Sequence, residues 1–195
     1  MGAVSEGYAD AYAGRFWGDL SASLGRVGSG YLLAVIPGVA LGLASGRSPA
    51  LASLLSPIIN GVRAVPGISW LPLALLWLGI GFRATVFLIA LAGVFPAYLN
   101  AAAGAASVPP VLTRAGRMLG FGRRAIFFRV VIPSAMPQVR TGLRVALGMS
   151  FSYLVLGELT GVPDGLGAMI MDARLAGRVD LLVSGIILIA LVGWL

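Results

Sequence analysis

Long apolar runs broken by short clusters of arginine, proline and glycine make up most of this chain. Val27 to Gly46, Ala64 to Phe82, Ala84 to Thr113 and Leu181 to Leu195 contain no charged residue. A helix that crosses a bilayer needs about 20 such residues, and each run approaches or exceeds that length. The first crossing is expected from about Val27 to Gly46, with Gly30, Ala34, Gly38 and Gly42 every fourth position. A stripe of small residues lets another helix approach closely. Ala50 to Phe82 is too long for one straight span and is broken at Pro57, Asn60, Arg63, Pro66, Gly67 and Pro72. It is expected to form a short helix to about Arg63 and a second piece from about Pro66 to Gly81. A return crossing follows from about Ala84 to Ala103. Another begins after Pro137, from about Gln138 to Glu158, then come a Gly- and Asp-containing connection from Gly161 to Asp180 and a last apolar run. The pattern predicts an all-α, polytopic membrane protein with about five crossings.

Two stretches depart from this pattern. Residues 1–26 are expected to form an interfacial segment. They hold Glu6, Asp10 and Asp19 with Tyr8, Tyr12, Phe16 and Trp17, and Phe16, Trp17, Leu20, Leu24 and Val27 recur at helical spacing. The second stretch is Val111 to Pro137. It carries Arg114, Arg117, Arg123, Arg124 and Arg129 and no acid, while Val111, Leu112, Ala115, Met118 and Leu119 are spaced for short helices. A mere connector needs no such periodicity, so a partner is expected to dock there.

Composition narrows the chemistry. At 58% hydrophobic and 11% charged residues, the 195-residue chain is too apolar for a soluble domain. It has no cysteine and no histidine, which removes thiolate and imidazole metal sites, haem ligation and histidine-assisted nucleophiles. All 14 basic residues are arginine, so a Walker A lysine and a Schiff-base lysine are excluded as well. No cofactor, metal or catalytic residue is expected, and any ATP that drives the protein binds to another chain. The net charge of +7 reads as membrane orientation rather than nucleic-acid binding. No acid lies between Asp19 and Glu158, whereas Arg114 to Arg144 contains seven arginines. The basic loop is therefore expected in the cytoplasm, with the N-terminal segment and the Asp-containing connection outside.

With those residues in view, the loop resembles the docking motif in permease subunits of bacterial ABC importers: Glu-Ala-Ala, three residues, Gly, nine residues, Ile, one residue, Leu-Pro. Ala115 and Gly116 fall on the two alanines, Gly120 on the glycine, Val130 on the isoleucine, and Ile132 and Pro133 on the Leu-Pro. Arg114 occupies the position of the acid. The run from Arg63 to Gly81, together with Leu143 to Gly148, Gly165 to Gly167 and Met171 to Arg174, is similar to the branch that imports nitrate, sulfonates and taurine. The resemblance covers roughly residues 20 to 195. It implies a permease domain over 27–195, with a cytoplasmic docking loop at about 107–133 made of short coupling helices and contacting through Arg114, Ala115, Gly116, Leu119, Gly120, Val130, Ile132 and Pro133. It implies two ATPase subunits, an extracytoplasmic substrate-binding protein and a second permease copy as partners in a bacterial plasma membrane. Members usually have six crossings and a short basic tail, so this chain is expected to lack the first crossing and to stop within the last.

Residues proposed for the translocation path are the polar or amphipathic ones at membrane depth: Arg63, Ser69, Trp70, Asn100, Ser150 and Tyr153. For each, helix-to-helix hydrogen bonding is at least as good a reading. An ion-driven secondary transporter is the alternative function. It would need buried ionisable groups, and Glu158 is the one candidate, better read as interfacial or packing because it ends a crossing. A membrane-embedded enzyme would have to draw its acid and base from carboxylates scattered over Glu158, Asp164, Asp172 and Asp180.

Overall fold

The computed structural model describes the backbone of residues 2–194 and the side chains of 14–191 and Gly193. Tyr8 and Tyr12 of the expected interfacial segment lie outside the described side chains. Among the described residues the structure is helical throughout, with no strand. The elements are α1 (Gly2–Ser45), α2 (Pro49–Ala64), a 3-10 turn (Gly67–Trp70), α3 (Leu71–Leu78), α4 (Phe82–Ala106), α5 (Pro110–Met118), α6 (Arg123–Ile126), a π-helical turn (Phe127–Val131), α7 (Ile132–Glu158), α8 (Leu166–Leu175) and α9 (Val179–Trp194).

Two helical stretches, Gly14–Ser45 and Phe82–Ala106, are long and apolar enough to cross a bilayer alone. The pair Pro49–Ala64 and Gly67–Leu78, bent by 86°, makes a third if it is counted as one broken span. The break falls where the sequence places it: Pro66 and Gly67 interrupt the helix, because the residue before a proline is driven out of the helical region. Val65, the C-cap of α2, is accordingly extended at φ −77°, ψ 121°.

Three boundaries differ from the sequence reading. Helix α1 runs unbroken from Gly2 to Ser45, so no boundary falls at Arg26; the helix-compatible Ser21–Arg26 stretch gives the backbone no reason to stop. Pro137 does not start a helix but sits inside α7, which begins at Ile132. The π-turn ahead of it, a device that lets a helix absorb an extra residue, joins α6 to α7 without a non-helical residue. The connection after Gly161 contains the ten-residue helix α8. Its Leu166, Ala168, Met169 and Ile170 are good helix formers hidden between glycines.

The chain divides into two compact units. The first gathers Met1–Gly30, Ile68–Ile89 and Ser150–Leu195; the second gathers Tyr31–Gly67 and Ala90–Met149. In the first, Val27, Ile89 and Leu154 form one buried cluster and Ala74, Ala84 and Leu88 another. In the second, Leu43, Ala101, Ala105, Val108, Ile126, Val131, Ala135 and Val139 form a continuous core. The small-residue stripe of α1 packs against α4 in both units. A methyl on Gly30 would lie 2.6 Å from Ile89, and one on Gly42 2.5 Å from the Tyr98 carbonyl oxygen. On the other side of α4 in the second unit, a methyl on Gly142 would lie 2.5 Å from Asn100 Cβ. Without a hydrophobic drive between helices in lipid, such backbone-close contact is what holds them together.

Candidate functional site

The basic loop folds as a locked platform in the second unit. Pro110 stands at the start of α5, where its missing N–H costs nothing and its φ suits a helix. Thr113 and Gly116 form the inner, buried face, and Thr113 Oγ1 donates to the Pro110 carbonyl at 2.9 Å. The helix ends in a Schellman motif: Phe121 N–H donates to the Gly116 carbonyl and Gly120 N–H to that of Arg117, both at 3.0 Å. This closure needs a left-handed residue at Gly120, which has φ +79°. Gly116 leaves room below it for Phe121 and Ile126, whose side chains would lie 3.4–3.9 Å from a methyl placed there. Arg129 lies over the Phe121 ring with 5.6 Å to its centroid, a cation–π contact that ties the π-turn to the end of α5.

With its small face inward, α5 turns its large residues out. Met118 is 88% exposed and Leu119 74%, while Val111, Leu112 and Phe128 are exposed beside them. Arg114, Arg117, Arg123 and Arg124 are exposed around this apolar patch. The motif residues thus divide by task. Arg114, Ala115, Leu119 and Pro133 are on the surface; Gly116, Gly120, Val130 and Ile132 hold its shape, the last two packing against the core that contains Val131 and Ile126. Sequence spacing does not predict this division, because an apolar helical face ordinarily points to a core.

The proposed path residues fall in both units. In the first, Trp70 and Tyr153 pack together against Ala74, Ala84 and Leu88, and Ser69 is exposed on the 3-10 turn. Ser150 is fully buried. In the second, Arg63 is exposed in the last turn of α2. The Asn100 side-chain amide donates back to the Pro96 carbonyl at 2.9 Å, within its own helix.

A cluster that sequence reading did not assemble lies in the first unit. Arg26 and Glu158, 3% and 0% exposed, form an ion pair at 2.7 Å. Arg26 also pairs with Asp164. Ser23 Oγ donates to Glu158 at 2.7 Å. The first backbone N–H groups of α8, which no helical carbonyl can satisfy, are taken up by the same side chains. Gly165 N–H donates to Asp19 at 2.9 Å, Leu166 N–H to Ser23 Oγ at 2.9 Å, and Gly167 N–H to Glu158 at 2.8 Å. Arg15 reaches the Pro163 carbonyl at 3.1 Å. The cluster fastens α1, the end of α7 and the start of α8. The packing reading of Glu158 therefore holds, and the clue available in the sequence was a lone acid and a lone arginine, each set against apolar runs.

A helical, apolar chain that exposes an apolar and basic platform has the form of a membrane component built to meet a partner. The sequence profile of the binding-protein-dependent transport system inner membrane component matches residues 38–195. The taurine transport system permease protein TauC of Escherichia coli is 38% identical over 97% of this chain and 68% of its own length. The nitrate import permease protein NrtB of Leptolyngbya laminosa is 35% identical over 93% of this chain and 65% of its own. The chain thus spans about two thirds of the length of these relatives. An inward-facing structure of the MetNI methionine ABC transporter has the same fold, with a TM-score of 0.80 at 18% identity over 94% of this chain and 92% of that one. The chain belongs to the binding-protein-dependent inner-membrane permease family of ABC importers.

Proposed function

We propose that the chain forms the translocation path for a small anionic or zwitterionic solute of the nitrate, sulfonate or taurine type, and that the platform at 107–133 is where a separate cytoplasmic ATPase grips it. The observation that carries this reading is the outward-turned patch of Val111, Met118 and Leu119 within a ring of arginines, fixed by the Gly120 turn. An exposed apolar surface held in one shape marks an interaction site. Coupling needs a link from that site to the membrane, and within the second unit the helix is uninterrupted from Arg123 through the π-turn to Met149. Two permease copies, two ATPases and an external binding protein complete the importer. About five crossings and an interfacial segment at residues 1–26 belong to the same proposal.

For the path, Arg63 beside the broken helix offers the cation that an oxyanion substrate needs, with Ser69, Trp70 and Tyr153 as further lining. Asn100 and Ser150 serve it through helix packing. The absence of acids between Asp19 and Glu158 leaves the middle of the chain without a group that repels an anion. In proteoliposomes carrying the assembled transporter, ATP-dependent uptake of labelled taurine or nitrate is expected to persist when an uncoupler collapses the proton gradient. Uptake lost to the uncoupler at constant ATP would replace this reading with ion-driven transport.

A further inference from the structure

We propose that the ATPase meets the platform with a carboxylate set against Arg114, inside an otherwise apolar cleft. This rests on the reading of the platform as the ATPase contact. Val111, Arg114 and Met118 follow at i, i+3 and i+7, opposite the buried Thr113 and Gly116, so Arg114 shares the outward face and lies between the other two along the helix. Whatever covers Val111 and Met118 also covers the guanidinium between them. Arg114 has no hydrogen bond or ion pair among the described residues. Nor can its own segment supply one, since the chain has no acid from residue 20 to residue 157. A guanidinium taken out of water without a counter-charge is strongly destabilising, and the acceptor that fits its planar fork is a carboxylate.

A membrane surface would also attract arginines, but through mobile phosphates that need no fixed spacing. The closure at Gly116, Gly120 and Phe121 fixes the spacing of Val111, Arg114 and Met118. A fixed spacing is read by a shaped protein cleft. The contact then selects its partner by charge as well as by shape.

The chain's lack of lysine makes the test direct. Arg114→Lys introduces the only side-chain amine, and a carbodiimide joins an amine to a carboxylate, with loss of water, only where the two touch. In the whole transporter purified with its ATPase, R114K treated with carbodiimide is expected to yield a peptide joined at position 114 to an Asp or Glu of the ATPase. Arg114→Glu is expected to lower the ATPase retained on the permease about tenfold, as like charges replace a pair. Full retention by R114E, or an R114K adduct formed with lipid instead of protein, overturns the proposal while leaving the platform as the ATPase contact. Failure of the unaltered chain to hold an ATPase at all overturns the docking reading itself.

Discussion

Two glycines of the platform, four positions apart, have opposite tolerances. Gly120 occupies a left-handed conformation that costs an L-residue roughly 1–2 kcal/mol. Gly116 is an ordinary helical position whose added methyl would make only van der Waals contacts. Gly120→Val is therefore expected to cut the ATPase co-purifying with the transporter, and Gly116→Ala to leave it unchanged or slightly raised, as measured by pull-down of the intact complex. In the first unit the buried charges are set against one another in the same way. Arg26→Ala leaves Glu158 uncompensated, a defect worth about 3–5 kcal/mol. Glu158→Gln keeps one acceptor oxygen, sets an NH2 against donors on the other side and loses the charge, while Arg26 retains Asp164. Thermal unfolding in detergent is expected to rank the wild type above Glu158→Gln, and both above Arg26→Ala.

Among the elements, α8 depends most on its neighbours. Its first N–H groups are satisfied from α1 and α7, and Gly165 adopts φ +113° with no room beside it: a methyl would lie 2.5 Å from Glu158 Oε1. Gly165→Ala is expected to release the start of α8, seen as faster amide exchange at Leu166 and Gly167, while α5 exchanges as before. That helix was not legible in the sequence, where ten residues between glycines look like a loop and the side chains that cap it lie on α1 and at the end of α7. The broken α2–α3 segment was legible, because Pro66 acts on its own neighbours. The α1 stripe was equally plain, since small residues at every fourth position have one mechanical meaning. The platform was half legible. Its helical spacing is plain in the sequence, but the inversion that turns Met118 and Leu119 outward depends on Gly116 meeting Phe121 and Ile126. Gly42→Leu should confirm how close α1 and α4 run in the second unit, by abolishing folded protein in membranes.

For the molecule as a whole, what fixes its function is the division of chemistry between chains. Its fourteen arginines, with no lysine and no histidine, can supply neither a Walker A lysine nor a histidine-assisted nucleophile. Membership in the permease family makes it an inner-membrane component of a transport system, and the all-helical architecture was plain from charge-free runs alone. The buried Arg26 carries a further consequence, in time rather than space. Its partner Glu158 lies 132 residues later in the chain. At about 5–20 residues per second, the ribosome makes Arg26 on the order of ten seconds before Glu158. Until then Arg26 lacks the carboxylates of Glu158 and Asp164 that pair with it in the folded first unit. The Arg26 turn of α1 is thus completed only after α7 and the start of α8 have been made.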